Sequence, residues 1–242
     1  MSDFYVQGNK ITINTEGPAF GAGSEGSLYL VDDKLYKIYH TDSLNDGFGN
    51  KKRYHQSLLG LYQDFEHFVL PEDLIFDVDG NYVGYVTRLV HYHGKEQNKG
   101  SGLTTLDWDI FIENIENIEK EIELLSENRF LTVDLGYHNS IFSEMDNKVY
   151  MIDPGRYHHQ TYFTTTDYKR RNIAIFNDYI IRMLERDSIS FKLVHKNKIL
   201  PLVKSIDIER ENKRFSQYFT EISEDYDFVQ DFLKEKAKFL HK

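Results

Sequence analysis

At 242 residues the chain is long enough for one large domain or for two lobes, and its 40% hydrophobic and 14% aromatic content supplies a core, which excludes a wholly disordered chain. A formal net charge of −10, with both halves acidic, excludes a nucleic-acid binder that neutralises phosphates with a basic face. The chain has no cysteine, so disulfides, thiolate metal sites and a cysteine nucleophile drop out. Met1-Ser2-Asp3-Phe4 lacks the basic and apolar regions of a signal peptide, and no apolar run approaches the roughly 20 residues of a membrane span. A soluble, cytoplasmic protein without a membrane partner is the expectation.

The first periodic segment is Lys10-Ile11-Thr12-Ile13-Asn14, whose alternation predicts a strand. Gly21-Ala22-Gly23-Ser24-Glu25-Gly26 follows, a G-x-G-x-x-G spacing that also opens the helix of dinucleotide-binding folds. Here the next residues are not helical. Ser27 to Val31 is β-branched and aromatic, Asp32-Asp33 is a turn, and Lys34-Leu35-Tyr36-Lys37-Ile38-Tyr39 alternates again. A glycine loop between strands suits a flap that lays backbone N–H groups over phosphates, where side chains would obstruct close approach. Lys37, on the strand returning from that flap, is placed to send an ammonium to those phosphates. Lys34 is its rival but belongs to the turn.

Residues 42–50 read as a loop, and Lys51 to Leu61 as a helix capped by Asn50. Arg53 and Gln56 stand in its middle, without a carboxylate to pair with Lys37; Asp46, Asp64 and Glu66 lie beyond its ends. Pro71 ends the segment, and Leu74–Asp77 with Tyr82–Thr87 forms a hairpin around Asp79-Gly80-Asn81. Residues 1–90 are therefore expected to form a mainly antiparallel sheet with one helix. Arg88-Leu89-Val90 leaves that sheet, and the polar, glycine-rich stretch from Lys95 to Gly102 is a natural crossover into a second lobe over 91–242.

That second part turns helical. Phe111, Ile115, Ile118, Ile122 and Leu125 recur at helical spacing and predict a helix ending near Asn128. Phe130 to Asp134 is extended, Asn139 comes five residues after Asp134, and a short hairpin leads to Ile152-Asp153-Pro154-Gly155. Asp134 can accept a proton from a nucleophile, while Asn139 and Asp153 offer the hard oxygen ligands that Mg²⁺ takes alongside phosphate oxygens. A polar segment runs to about Asp167, then a helix carries Ile173, Phe176, Ile180 and Met183 or Leu184 on one face. A last helix is expected around Phe228 to Leu240.

Taken in order, the glycine loop, Lys37, Asp134, Asn139 and Asp153 resemble the protein-kinase-like superfamily, and in particular its small, divergent bacterial Ser/Thr protein kinases. The resemblance runs from about Ile11 to Leu184 and implies an α+β, two-lobed fold. It implies that Gly21, Gly23 and Gly26 cover the phosphates of ATP, that Lys37 contacts them, and that the Leu89–Val90 backbone binds adenine. Asp134 is then the catalytic base, and Asn139 and Asp153 hold Mg²⁺ or Mn²⁺. The implied activity is transfer of the γ-phosphate to a hydroxyl, with Ser or Thr of a protein as the favoured acceptor. Small-molecule kinases of the aminoglycoside or choline type are one alternative, and a pseudokinase scaffold that binds nucleotide or partner without catalysis is another.

The chain departs from the family pattern at several points. Thr132-Val133 stands where His-Arg precedes the catalytic aspartate, Gly136 replaces a lysine, and the metal triplet is Asp-Pro-Gly. No Ala-Pro-Glu closes the activation segment. The histidines His91, His93, His158 and His159 lack zinc-site spacing, no Gly-x-Ser-x-Gly elbow anchors a hydrolase, and Thr164-Thr165-Thr166 reads as a plain polar loop.

Overall fold

The structure, a computed structural model, describes residues 1–45, 51–90, 108–135, 139–143, 145–159 and 163–186. Asn50, Asp46, His91, His93, Gly136, the 95–102 crossover and the C-terminal helix expected near Phe228 lie outside those residues. The chain is mixed α+β and divides into two compact units, one of Met1–His91 with Ile152–Arg156, the other of Tyr92–Met151 with Tyr157–Lys242. Among the described residues no helix is long and apolar enough to cross a membrane.

The first unit is built on a seven-stranded antiparallel sheet. Its strands are β1 (Ser2–Val6), β2 (Asn9–Ile13), β3 (Gly21–Ala22), β4 (Gly26–Val31), β5 (Lys34–Tyr39), β6 (Asp73–Phe76) and β7 (Tyr82–Arg88). They lie in the order β2-β1-β6-β7-β5-β4-β3. β1, which sequence patterning did not single out, pairs with β2 from Ser2↔Ile13 to Val6↔Asn9. The β6–β7 connection is shaped by Asp77, whose carboxylate accepts the N–H groups of Asp79 and Asn81 at 3.0 and 2.8 Å, with Gly80 at φ +80°.

Both faces of β5 are covered, because period-two alternation sends neighbours to opposite sides. Tyr36, opposite Val86, joins the apolar cluster of Phe4, Val6, Ile13 and Ile75. Lys37, opposite Tyr85, lies on the other face and is buried there. Among the described residues this unit has one α-helix, α1 (Lys51–Leu58), which turns Lys51, His55 and Leu58 inward, a 4-then-3 spacing that puts them on one face. Arg53 and Gln56, the mid-helix residues of the sequence reading, are exposed.

In the second unit, α2 (Trp108–Glu127) and α3 (Thr165–Arg186) pack against each other. Ile115, Ile118, Ile122 and Leu125 of α2 are all buried, as their spacing predicts, along with Tyr168, Ile173, Phe176 and Tyr179 of α3. Its described residues also form two small antiparallel ladders: β8 (Phe130–Leu131) with β11 (His158–His159), and β9 (Ser140–Ser143) with β10 (Lys148–Met151).

The polar loop expected at Thr164-Thr165-Thr166 is instead the start of α3. Thr164 Oγ1 accepts the Asp167 N–H at 3.2 Å, and the Asp167 carboxylate accepts the Thr164 N–H at 3.0 Å and its hydroxyl at 2.6 Å. This reciprocal arrangement satisfies end-of-helix donors locally, so three threonines, though poor helix formers, begin a helix here.

Candidate functional site

The glycine segment forms the outer edge of the sheet. β3 pairs with β4 through Gly21↔Leu28 and Ala22↔Ser27, and the tip is closed by a 2.9 Å bond from the Gly23 N–H to the Gly26 carbonyl. The three glycines are not equivalent. A Cβ on Gly26 would stand 2.4 Å from the Ile38 carbonyl oxygen, so β4 could not approach β5 as it does. Gly21 and Gly23 meet no such obstacle, so packing does not explain their lack of a side chain. Gly84, not singled out in the sequence, is more constrained still: its Cβ would fall 1.9 Å from the carbonyl oxygen of Lys37.

Lys37 forms an ion pair with Asp153, 116 residues away in sequence, through Nζ and Oδ1. The lysine side chain is only 8% exposed, whereas the aspartate keeps 38% and is open to solvent on one side. Tyr85, cross-strand from Lys37, donates its hydroxyl to the same Asp153 oxygen at 3.1 Å. Burial, then the Asp153 charge, raises the Tyr85 phenol well above its ordinary value, so it stays a donor. For Asp153, burial pushes the carboxyl up; the Lys37 charge and hydrogen bonds from Lys37, Tyr85 and the Gly155 N–H outweigh it and hold the group below the usual carboxylate range. Asp153 sits at φ +59°, a left-handed conformation uncommon for a residue with a side chain, and the Pro154–Arg156 turn follows directly. Lys34, by contrast, pairs with Glu72 at 2.7 Å on the surface.

Further groups from α1 and its neighbours surround this pair. Lys51, the first residue of α1, lies 3.5 Å from Glu25 of the glycine segment. His55, one turn along, packs its ring against Tyr85, with centroids 4.7 Å apart, and stacks on Tyr39. Its Nδ1 meets the Tyr82 hydroxyl. Burial, then the neighbouring Lys37 charge, drives the His55 imidazole down to about 3, so it is neutral. No carboxylate from α1 reaches Lys37. The inward positions that could have carried one are Lys51 and His55, and Asp64 and Glu66 are exposed. The 51/55/58 spacing was a readable signal for this face, but two polar residues on it hid the pattern.

Asp134 and Asn139 come together in the second unit. The Asn139 amide nitrogen donates to the Asp134 main-chain carbonyl at 2.9 Å, which leaves its amide oxygen as the acceptor end. The segment leading into Asp134 is held by Asn172, buried on α3. Its oxygen accepts the Thr132 N–H and hydroxyl at 2.8 and 3.0 Å, and its nitrogen donates to Ser126 Oγ and the Phe130 carbonyl at 2.9 and 2.7 Å. Thr132 thus has a structural partner of its own. Asn114 does the same for the β9–β10 hairpin, accepting the Val149 N–H at 2.7 Å and donating to the Asn147 carbonyl at 2.9 Å.

Of the expected adenine-binding pair, Val90 is buried and Leu89 half-buried; the Leu89 N–H is engaged by the Asp33 carbonyl at 3.3 Å. Among the described residues no three His, Asp or Glu side chains form a metal cage. An amide oxygen or a lone carboxylate of the Asn139 and Asp153 kind fits Mg²⁺, which takes only one or two protein ligands alongside phosphates and water. No family model matches the chain, and no curated protein matches its sequence.

Proposed function

We propose that the chain is an ATP-dependent phosphotransferase with a two-lobed, protein-kinase-like fold, moving the γ-phosphate to a hydroxyl, with Ser or Thr of a protein as the favoured acceptor. The observation that carries this reading is the ion pair between Lys37, buried on the strand that returns from the glycine segment, and the half-open Asp153. Gly21 and Gly23, whose lack of a side chain packing does not explain, suit a loop that brings its backbone close to phosphates.

Each residue has a definite task. The backbone N–H groups around Gly21, Gly23 and Gly26 donate to phosphate oxygens, and Lys37 neutralises the phosphates once Asp153 gives up its hold on the ammonium. Asp153 and Asn139 supply the carboxylate and amide oxygens for a divalent ion. A bound Mg²⁺ would add positive charge for a triphosphate to that of Lys37. Asp134 orients the acceptor hydroxyl and takes its proton as the O–P bond forms. The Leu89–Val90 backbone receives adenine.

A second reading, a pseudokinase that binds without catalysis, draws on the inward face of α1. With Lys51 and His55 there, Lys37 has Asp153 as its partner instead of a helix carboxylate. One experiment separates the two. Full-length protein titrated with ATP and Mg²⁺ or Mn²⁺, then assayed for transfer, should bind nucleotide and turn it over; Asp153→Asn should abolish transfer and Asp134→Asn reduce it about 10²–10⁴-fold. Binding without turnover favours the scaffold, and neither binding nor turnover removes the enzyme reading.

A further inference from the structure

Lys51 and Glu25 form a second charge pair beside Lys37 and Asp153, and the chemistry just described leaves them unused. The Lys51 side chain is 4% exposed, and its ammonium lies 3.5 Å from a Glu25 carboxylate oxygen. It stands 4.5 Å from the centre of the Tyr39 ring, and the Lys37 ammonium lies 5.4 Å from that same centre. The carboxylates converge too. A Cβ built on Gly155 would meet Asp153 Oδ1 at 3.0 Å and Glu25 Oε2 at 3.4 Å. Two cations and two anions therefore meet around one tyrosine and one glycine, all within the first unit.

The location of Lys51 is electrostatically poor. It is the first residue of α1, at the positive end of the helix dipole, and it is buried there. An apolar side chain of similar length could cover Tyr39 without that penalty. Its neutralising partner is on the glycine segment: Glu25 lies between Gly23 and Gly26, tied to β5 by the bond from the His40 N–H to the Glu25 carbonyl at 2.9 Å. A carboxylate on the glycine segment, set against a buried ammonium, offers it a negative charge and acceptor oxygens of the kind a phosphate group also offers.

Building on the phosphotransferase reading, we infer that Lys51 is a second polyphosphate-binding cation of this site and that Glu25 is its internal anion, displaced when a nucleoside di- or triphosphate binds. Incoming phosphate oxygens replace the Glu25 carboxylate on Lys51, and Asp153, released from Lys37, would be the carboxylate that holds a divalent ion. The released Glu25 turns to solvent with the flap.

The two partners of the pair must then act with opposite sign, which a merely structural ion pair does not do. Full-length wild type, Lys51→Met and Glu25→Gln are titrated calorimetrically with ATP and ADP in Mg²⁺ and with adenosine, and their thermal midpoints are compared. Lys51→Met is expected to weaken ATP and ADP about tenfold, the effect of one charge-assisted hydrogen bond, and to leave adenosine unchanged. Glu25→Gln is expected to tighten ATP several-fold, again with adenosine unchanged. Should Lys51→Met unfold, the Glu25→Gln arm decides alone: unchanged or weaker ATP binding overturns the inference. ATP binding that requires Lys37 and Asp153 but is indifferent to Lys51 also overturns it, while leaving the phosphotransferase reading intact. A wild type that binds no nucleotide brings down both.

Discussion

Asn172 accepts two hydrogen bonds from one residue, Thr132, taking both its N–H and its hydroxyl on a single carboxamide oxygen. Both residues are fully buried, and the bonds fasten the start of the turn that carries Asp134 to the middle of α3. Replacing Asn172 by Leu removes the acceptor of the Thr132 N–H and hydroxyl and the donor to the Phe130 carbonyl and Ser126 Oγ, while the Ser126 hydroxyl keeps its bond to the Ile122 carbonyl at 2.7 Å. Such a loss should cost about 2–4 kcal/mol. Urea unfolding of the variant should show a lower midpoint with an unchanged slope, and Thr132→Val should show a smaller drop of about 1 kcal/mol.

Two glycines separate packing from ligand binding. Gly84→Ala drives a methyl into the Lys37 carbonyl, so the sheet must shift and stability should fall by at least about 2 kcal/mol. Gly23→Ala has its nearest neighbour, the Gly26 carbonyl oxygen, at 4.0 Å and should leave the thermal midpoint where it was. On the proposed phosphotransferase reading the added methyl stands where the loop approaches phosphates, so ATP affinity should drop. Differential scanning calorimetry and nucleotide titration of both variants check the contrast; a destabilised Gly23→Ala would contradict it.

Neutral His55 makes the first unit sensitive to acid. Its folded value of about 3 lies below the roughly 6.5 of an unfolded histidine, so between those limits the unfolded chain binds a proton that the native chain does not. Stability from this group is complete above about pH 6.5 and is lost as pH falls toward 3, amounting to about 2 kcal/mol by pH 5. Chemical denaturation at a series of pH values should show that slope. His55→Gln, which keeps a polar partner for Tyr82, should flatten it.

At the head of α3, Thr164→Val removes the hydroxyl that accepts the Asp167 N–H. About 1 kcal/mol of stability should go with it, and hydrogen exchange should quicken at the first turn of the helix while its middle stays protected.

What the sequence determined alone was most of what has a short, apolar repeat distance. Alternation exposed β2, the β4–β5 hairpin and β6–β7, because a strand's two faces meet different surroundings. The i, i+3, i+4 spacing of Ile115, Ile118, Ile122 and Leu125 exposed α2 and its core face for the same reason. β1 and the capped start of α3 were less legible: Ser2–Val6 has one weak alternation, and the capping pair acts only when Thr164 and Asp167 close on each other. The charge partners were decided by tertiary structure. Nothing in the spacing of residues told Lys37 to meet Asp153, Lys51 to meet Glu25, or Thr132 to meet Asn172, since each pair joins elements that only the folded chain makes neighbours. Local pattern reports what a residue does to its own helix or strand; a buried charge is settled by whatever opposite charge the fold can bring within a few ångströms of it.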